Sequence, residues 1–399
     1  MKADMTTTRC ALDQQQQHRA TAAQGARTGY EVTALRALGS VEPVWHALER
    51  NGDATIFQAF DTFRAWSRHV ATGYGVEWLV VVVFDRTAQT PVMLLPLVVV
   101  KRGGLLVIEA ADLGVCDFNG PVLARRFNPS ADEMTAIWAD VRRVLPEGDV
   151  VCLTKMPSVI GTAPNPLLLL KASHRIKLSN YKTPLGPRWT AERLPDKLRA
   201  DLASRRRKLD KRGKVAFRTA QTEQEADTFF VAMVEQRAAR FAATGRPNIL
   251  DCPSHRAFYR ALLTPGKETS AAVIQALTVN GKIIATGYGL VSDQGFAMIF
   301  PTFLAEGWRN YSPGMMLFVE SMTWAAGRAI AFYDFTIGGE EFKMTLGAVE
   351  FPLFEHLEPL TLRGRPAVFG ERLRRRLSNS PALKSLVVKA RSFRNKGSP

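Results

Sequence analysis

Between Asn310 and Lys343 the chain carries residue types, at spacings, that suit binding a phosphate and moving a proton. Ser312-Pro313-Gly314 reads as a helix start. Serine is a favoured N-cap, and proline suits the first helical position because its missing N–H would have no partner there. Gly314 lets a bulky group approach the backbone. The amides of Gly314, Met315 and Met316 are then expected to point outward unpaired, a ready site for a pyrophosphate, with Asn310 and Tyr311 in the turn before them. The plainer alternative is a helix start and nothing more. Asp334 falls mid-strand between Tyr333 and Phe335, where a carboxylate must be paired or shift its pKa upward. It suits a general base, or a structural aspartate that caps a turn or pairs with Lys343. Glu340 and Glu341 follow Gly338-Gly339 and either line a substrate pocket or sit in solvent. Lys343 is expected to bind an anion or to be an ordinary surface lysine. Tyr311 could donate a proton or simply pack. Arg237 and Arg240, three apart on a helix, share one face and suit an anionic substrate, with a solvated face as the alternative. His69 and His255 have no partner visible in the sequence.

The elements around these residues follow from hydrophobic periodicity. An apolar run Phe296–Phe300, the turn, a helix from Met315 to Arg328 and a strand from Ile330 to Ile337 give strand, turn, helix, strand. Before them, 272–279 and 283–291 form a hairpin across Asn280-Gly281. Helices are expected over 194–212, 222–241 and 254–263, with a strand at 215–219. In the first part of the chain, helices are expected over 41–50 and 61–71, with Asp61 as N-cap. Strands follow at 78–84, 91–100 and 105–109, then a helix at 131–145 and a strand at 150–155. Strands apolar on both sides belong in a sheet covered on both faces. Both parts run helices, a three-strand meander, helix, strand, which suggests a duplicated α/β fold. The expected organisation is a disordered tail to residue 30, a domain at 31–175, a connector with a basic helix at 176–214, a second domain at 215–362 and a basic tail at 363–399.

The chain has 399 residues and a formal net charge of +16, which points to an acidic partner: nucleic acid, an anionic lipid surface or a phosphorylated cofactor. Four scattered cysteines form no CxxC pair, so neither a zinc site nor a disulfide scaffold is expected, and no metal. A reduced, cytoplasmic setting fits. No secretory signal is visible near the start, and no apolar run approaches the roughly 20 residues of a membrane helix. The run Arg205-Arg206-Arg207-Lys208 suits a solvated helix face, a phosphate, an acidic glycan or an anionic lipid. Arg374-Arg375-Arg376, with Leu386–Val388 and Phe393, suits a basic amphipathic helix on the inner face of a membrane. Nucleic acid is disfavoured, since no aromatic-interleaved basic motif is present.

Several blocks, in this order, carry a resemblance. They are Phe57-Gln58-Ala59-Phe60 with Trp66, Val92–Leu97, Asp117-Phe118-Asn119-Gly120-Pro121, Arg205–Lys208, Tyr311–Gly314, and Tyr333-Asp334-Phe335 with Gly338, Phe342 and Lys343. Over about residues 40 to 360 the chain resembles the CelD-type acetyltransferase family of the GNAT superfamily, associated with cellulose biosynthesis and distantly similar to the Fem peptidyltransferases. It departs from the pattern in having a single glycine in Arg309–Gly314, Phe342 where tyrosine is common, and Ala59 in place of serine. The resemblance implies two tandem GNAT-like domains, each a mixed, mostly antiparallel sheet flanked by helices. It implies transfer of an acyl group, commonly acetyl, from acyl-coenzyme A to an amine or hydroxyl of a small molecule, glycan or lipid-linked acceptor. The pyrophosphate would sit at Gly314, the strand Ala297–Pro301 would pair with the pantetheine arm, and Asp334 would be the base. Asp117 is expected to have a structural role. Two other readings stand beside this one: a Fem-like aminoacyltransferase, and a non-catalytic scaffold of a polysaccharide system.

Overall fold

The computed structural model describes residues 29–186, 189–267, 271–292 and 295–379. Residues 1–28, where most of the expected tail lies, and Leu386–Val388 with Phe393 fall outside the described residues.

The first half begins with strand β1 (Tyr30–Leu35), at the boundary where a tail was expected. Helix α1 (Leu38–Asn51) buries Val41, Trp45 and Leu48, one face at helical spacing. Helix α2 begins at Phe60–Ala65 and continues through a π-turn, Trp66–Ala71, to Tyr74. Its N-cap is Ala59 rather than Asp61, and Glu49 accepts the Phe60 N–H at 2.7 Å in place of a local cap. The meander follows as β2 (Trp78–Asp85), β3 (Pro91–Arg102) and β4 (Leu105–Ala110). Val80 to Val83 are completely buried, as expected of a strand covered on both faces. Helix α3 (Ala131–Val144) and strand β5 (Val150–Pro157) complete the half.

Strand β6 (Ser173–Pro184) then leads to helix α4 (Asp196–Asp210). The second half repeats the first. Its elements are β7 (Val215–Thr219), α5 (Glu223–Thr244), α6 (Pro253–Ala261), the meander β8 (Ala272–Val279), β9 (Lys282–Val291) and β10 (Gly295–Phe303), α7 (Pro313–Ala326) and β11 (Phe332–Ile337). A short helix α8 (Glu341–Thr345), strand β12 (Val349–Pro359) and helix α9 (Gly364–Asn379) end it. The β8–β9 turn is made by Asn280 and Gly281, both at positive φ, the geometry that this dipeptide favours.

The strands form one 14-stranded sheet in the order β1-β2-β3-β4-β5-β12-β6-β11-β10-β9-β8-β7, with Gly52–Asp53 and Val122–Ala124 as two short additions. Only β4/β5 and β10/β11 pair in parallel among the described strands. The centre is an exchange. β6, which follows β5, crosses over to pair with β11, and β12, which follows β11, crosses back to pair with β5. β6 and β12 also pair with each other, antiparallel. Neither strand was expected from sequence, and residues 177–181, read as the start of a connector, lie in β6.

One hydrophobic cluster crosses from half to half, joining Trp45, Phe60 and Trp66 with Phe230, Tyr259 and Phe300. Tyr259 donates from its hydroxyl to Val115 O at 3.0 Å, and Tyr288 donates to Tyr259 O at 2.9 Å. The exchange makes a testable prediction. A chain cleaved between β6 and α4 should stay together in gel filtration and separate only in denaturant, since β6 is held between β12 and β11 of the other piece. Two separate peaks in native buffer would contradict it.

Candidate active site

The two parallel pairs both come apart after three residues. β10 and β11 are paired at Gly295/Phe332, Phe296/Tyr333 and Ala297/Asp334, and β4 and β5 at Val107/Val150, Ile108/Val151 and Glu109/Cys152. Beyond these points each sheet splits. Bulges accompany the split. Phe335 and Thr336 of β11 stand opposite Tyr181 alone, and Thr336 takes φ 60°, an unusual conformation for a β-branched residue. Asp334 Oδ1 accepts the Thr336 N–H at 2.7 Å and holds it there. In β10, Ile299 is an extra residue between Met298 and Phe300 opposite β9. In β5, Thr154 and Lys155 stand opposite Glu355, and Lys155 has φ 58°.

The halves differ in what meets the split. In the first half the chain fills it. Asn119 donates from its backbone N–H to Lys155 O at 3.1 Å and from Nδ2 to Thr154 O at 3.2 Å. The Lys155 ammonium pairs with Asp112 and donates to Cys116 O. The following helix is also capped by its own side chains: Ser130 Oγ accepts from Glu133 N, and Glu133 accepts from Ser130 N. In the second half, α7 starts at the end of β10 with no side-chain cap. Phe303 lies so close to Gly314 that a Cβ there would stand 3.1 Å from its ring, so the glycine lets strand and helix meet.

This helix start differs from expectation in one respect. Ser312 occupies the N-cap position in a left-handed conformation, and its carbonyl accepts the N–H groups of Met315 and Met316, both at 3.1 Å. Those two amides are therefore used internally. Two arginines meet the turn instead: Arg205, which also pairs with Asp201, donates to Asn310 O at 2.7 Å, and Arg212 donates to Gly307 O at 3.1 Å. Tyr311 packs beside Trp308, with the Arg212 guanidinium over its ring.

On the other face of β11 lies a cluster of charges. Asp334 is buried and meets Lys182 at 3.2 Å, a residue directly opposite it on β6. Asn180 Nδ2 donates to it at 3.3 Å. Burial raises the Asp334 pKa, while Lys182 and these hydrogen bonds oppose the shift. The expected Lys343 partnership is replaced by Lys182. Lys343 is itself buried, donating to Phe335 O, Ile337 O and Gly338 O at 2.9–3.0 Å and pairing with Glu340. All its protons are committed to the end of β11, so it is neither a surface lysine nor placed to take a substrate anion. Glu340 and Glu341 are exposed beyond it.

Asp117, expected to be a turn residue, is brought into this cluster from the first half. It lies beside Thr336: burial raises its pKa, with the Thr336 side chain and Lys155 opposing and the charges of Asp112 and Asp334 adding to the rise. The neighbouring Phe118 ring lies under the Lys182 ammonium. Arg237 is half-buried against Phe300 of β10 and donates to Asn248 Oδ1 at 2.8 Å, while Arg240 lies over Phe303. Both arginines thus flank the open stretch of β10. No sequence spacing links Asp117 to Asp334; the repeated element order was the available signal, since the first half can lend a loop to the second.

Residues 196–344 match a family described as an Acetyltransferase (GNAT) domain. No curated protein matches the chain. Among solved structures, FemX is similar at a TM-score of 0.55 and 11% identity, covering 82% of this chain and 97% of its own. A conserved protein of unknown function from Bacteroides thetaiotaomicron VPI-5482 has a TM-score of 0.50 at 12% identity, covering 83% of this chain and all of its own (100%). A tandem GNAT protein from the clavulanic acid biosynthesis pathway has a TM-score of 0.46 at 12% identity, over 83% and 98% of the two chains. Split strand pair and helix start both fall within residues 196–344, the stretch that matches the GNAT-domain family.

Proposed function

We propose that the second half catalyses acyl transfer from acyl-coenzyme A, with acetyl as the acyl group, to an amine or hydroxyl. The observation that carries this reading is the split between β10 and β11, which leaves the β11-facing edge of β10 without a strand partner from Met298 to Phe303, beside an uncapped helix start. In the first half the same split is filled by Asn119. The second-half residues fit the coenzyme. Met298–Phe303 offer strand edge to an extended amide-bearing arm, and Gly314 with Arg205 and Arg212 offers donors and positive charge to phosphates. Bound acyl-coenzyme A supplies a thioester-activated acyl group.

Asp117 is assigned as the base. Asp334 already has Lys182, Asn180 and the Thr336 N–H as partners. Asp117 retains some exposure and is steadied by the Thr336 hydroxyl. It takes the acceptor's proton as the nucleophile attacks, directly or through a water. Asp334 is a positioning residue: it fixes the bulge that aims Thr336 at Asp117. Arg237 and Arg240 suit an acceptor with a negative group, in keeping with the net charge of +16. An acidic sugar of an envelope or exopolysaccharide precursor is such an acceptor, and membership of the CelD-type group is part of the same proposal, resting on the order of the sequence blocks.

Calorimetric titration with acetyl-coenzyme A should give saturable binding, weakened about tenfold or more in an Arg205→Glu/Arg212→Glu double variant. No heat at about millimolar ligand would overturn the reading. Asp117→Asn should lower turnover by about a hundredfold or more while coenzyme affinity is kept. A base must be ionised, and its raised pKa sets where this happens. The rate should therefore fall on the acid side with an apparent pKa above the ordinary carboxylate range, and Asp117→Asn should abolish that limb. In Asp334→Asn the rate should drop with the limb retained. An acid limb that disappears in Asp334→Asn and persists in Asp117→Asn would reverse the two roles.

A further inference from the structure

Helix α9 packs on β12 through Val368, which is buried, and Arg372 donates to Leu357 O at 2.9 Å. Beneath it, against β5, β12 and β6, runs a groove of about 1200 Å3. It exists because β6 and β12 lose register between Arg175 and Ser179, leaving Ile176, Lys177 and Leu178 opposite Leu353 alone. Seven lysines and arginines line the groove against two glutamates, a balance that favours an anionic occupant. Glu371 is engaged by Arg374 and Arg375 and Glu355 by Arg375, while Lys155 pairs with Asp112 and Arg175 with Glu350; Lys171 and Arg372 have no carboxylate partner among the described residues and leave the groove with a surplus of positive charge. Lys171, Arg175 and Arg374 are exposed at its walls.

The outer side of α9 adds a second, independent feature. Phe369 is 69% exposed and Leu373, one turn on, 45%; Leu362, just before the helix, is 74% exposed. Helical spacing puts Phe369, Leu373 and Pro366 in one stripe, with Arg365 and Arg372 along one flank and Arg374 along the other. An apolar stripe bracketed by arginines matches the boundary of a bilayer, where phosphates lie above acyl chains. A polyanion such as a nucleic acid would answer the arginines and leave Phe369 and Leu373 in water. Among the described residues no helix is long and apolar enough to cross a membrane, so any engagement by this helix is at the surface.

We propose that α9 and the groove beneath it form a docking surface for an anionic phospholipid bilayer, with Phe369 and Leu373 entering the interface and the groove receiving a lipid phosphate. None of the residues assigned to acyl transfer lines the groove, although Lys155 at its edge also acts on Asp117, and the proposal does not depend on that assignment.

Flotation of the full chain with vesicles tests it. Vesicles of phosphatidylcholine with about one-third phosphatidylglycerol should bind the protein at least about tenfold better than phosphatidylcholine alone, and about 1 M salt should remove the difference. Phe369→Ser/Leu373→Ser should lower binding to the anionic vesicles about tenfold, with thermal midpoint unchanged and residues 380–399 still present. Lys171→Glu/Arg374→Glu should erase the preference for phosphatidylglycerol. Equal flotation with neutral and anionic vesicles, no flotation with either, or wild-type binding by the Phe369→Ser/Leu373→Ser variant would overturn the proposal.

Discussion

The exchange of β6 and β12 is the constraint on which the rest of the molecule depends. A strand that leaves one half to complete the other makes the two sheets one, and it places linker residues inside the second half. Lys182 is opposite Asp334 because β6 lies where it does. Without that pairing Asp334 would be a buried carboxylate with no cation beside it, at a cost of several kcal/mol or a further rise in pKa. The same joining brings the first-half loop at Asp117 against Thr336. The candidate site is therefore a product of both halves, although the matched acetyltransferase domain covers only residues 196–344.

The two halves share an element order and differ in what meets the split. Each half has a short parallel pair, a split and a left-handed residue near it, Lys155 in one and Thr336 in the other. In the first half the Asn119 amide closes on β5 and Lys155 is tied to Asp112, so the split has become a structural joint. Among the described residues the second half shows no such plug, and its helix start has no side-chain cap. A buried plug and an open binding edge are alternative ways to satisfy the same backbone groups.

Much of this was legible in the sequence. The meanders could be read because runs such as Val80–Val83 and the Asn280-Gly281 turn are strong local signals. The helix start at Ser312-Pro313 was legible for the same reason. β6 and β12 were not, because mixed sequences such as Ser173–Pro184 and Val349–Pro359 become strands only through partners more than a hundred residues away. The use of the Met315 and Met316 amides was hidden because it depends on the left-handed turn at Ser312. Lys343 looked like a surface residue because no local pattern shows three carbonyls converging on it. That Arg237 and Arg240 share a helix face could be read from spacing alone, whereas the approach of Asp117 to Thr336 required the fold.

The central claim is that the split between β10 and β11 is where acyl-coenzyme A lies. Hydrogen–deuterium exchange with and without acetyl-coenzyme A tests it most directly. The account predicts protection concentrated in peptides spanning Met298–Phe303 and the start of α7, with little change in the first-half peptides around Glu109 and Cys152. Protection confined to the first half, or absent from Met298–Phe303 at saturating ligand, would contradict it.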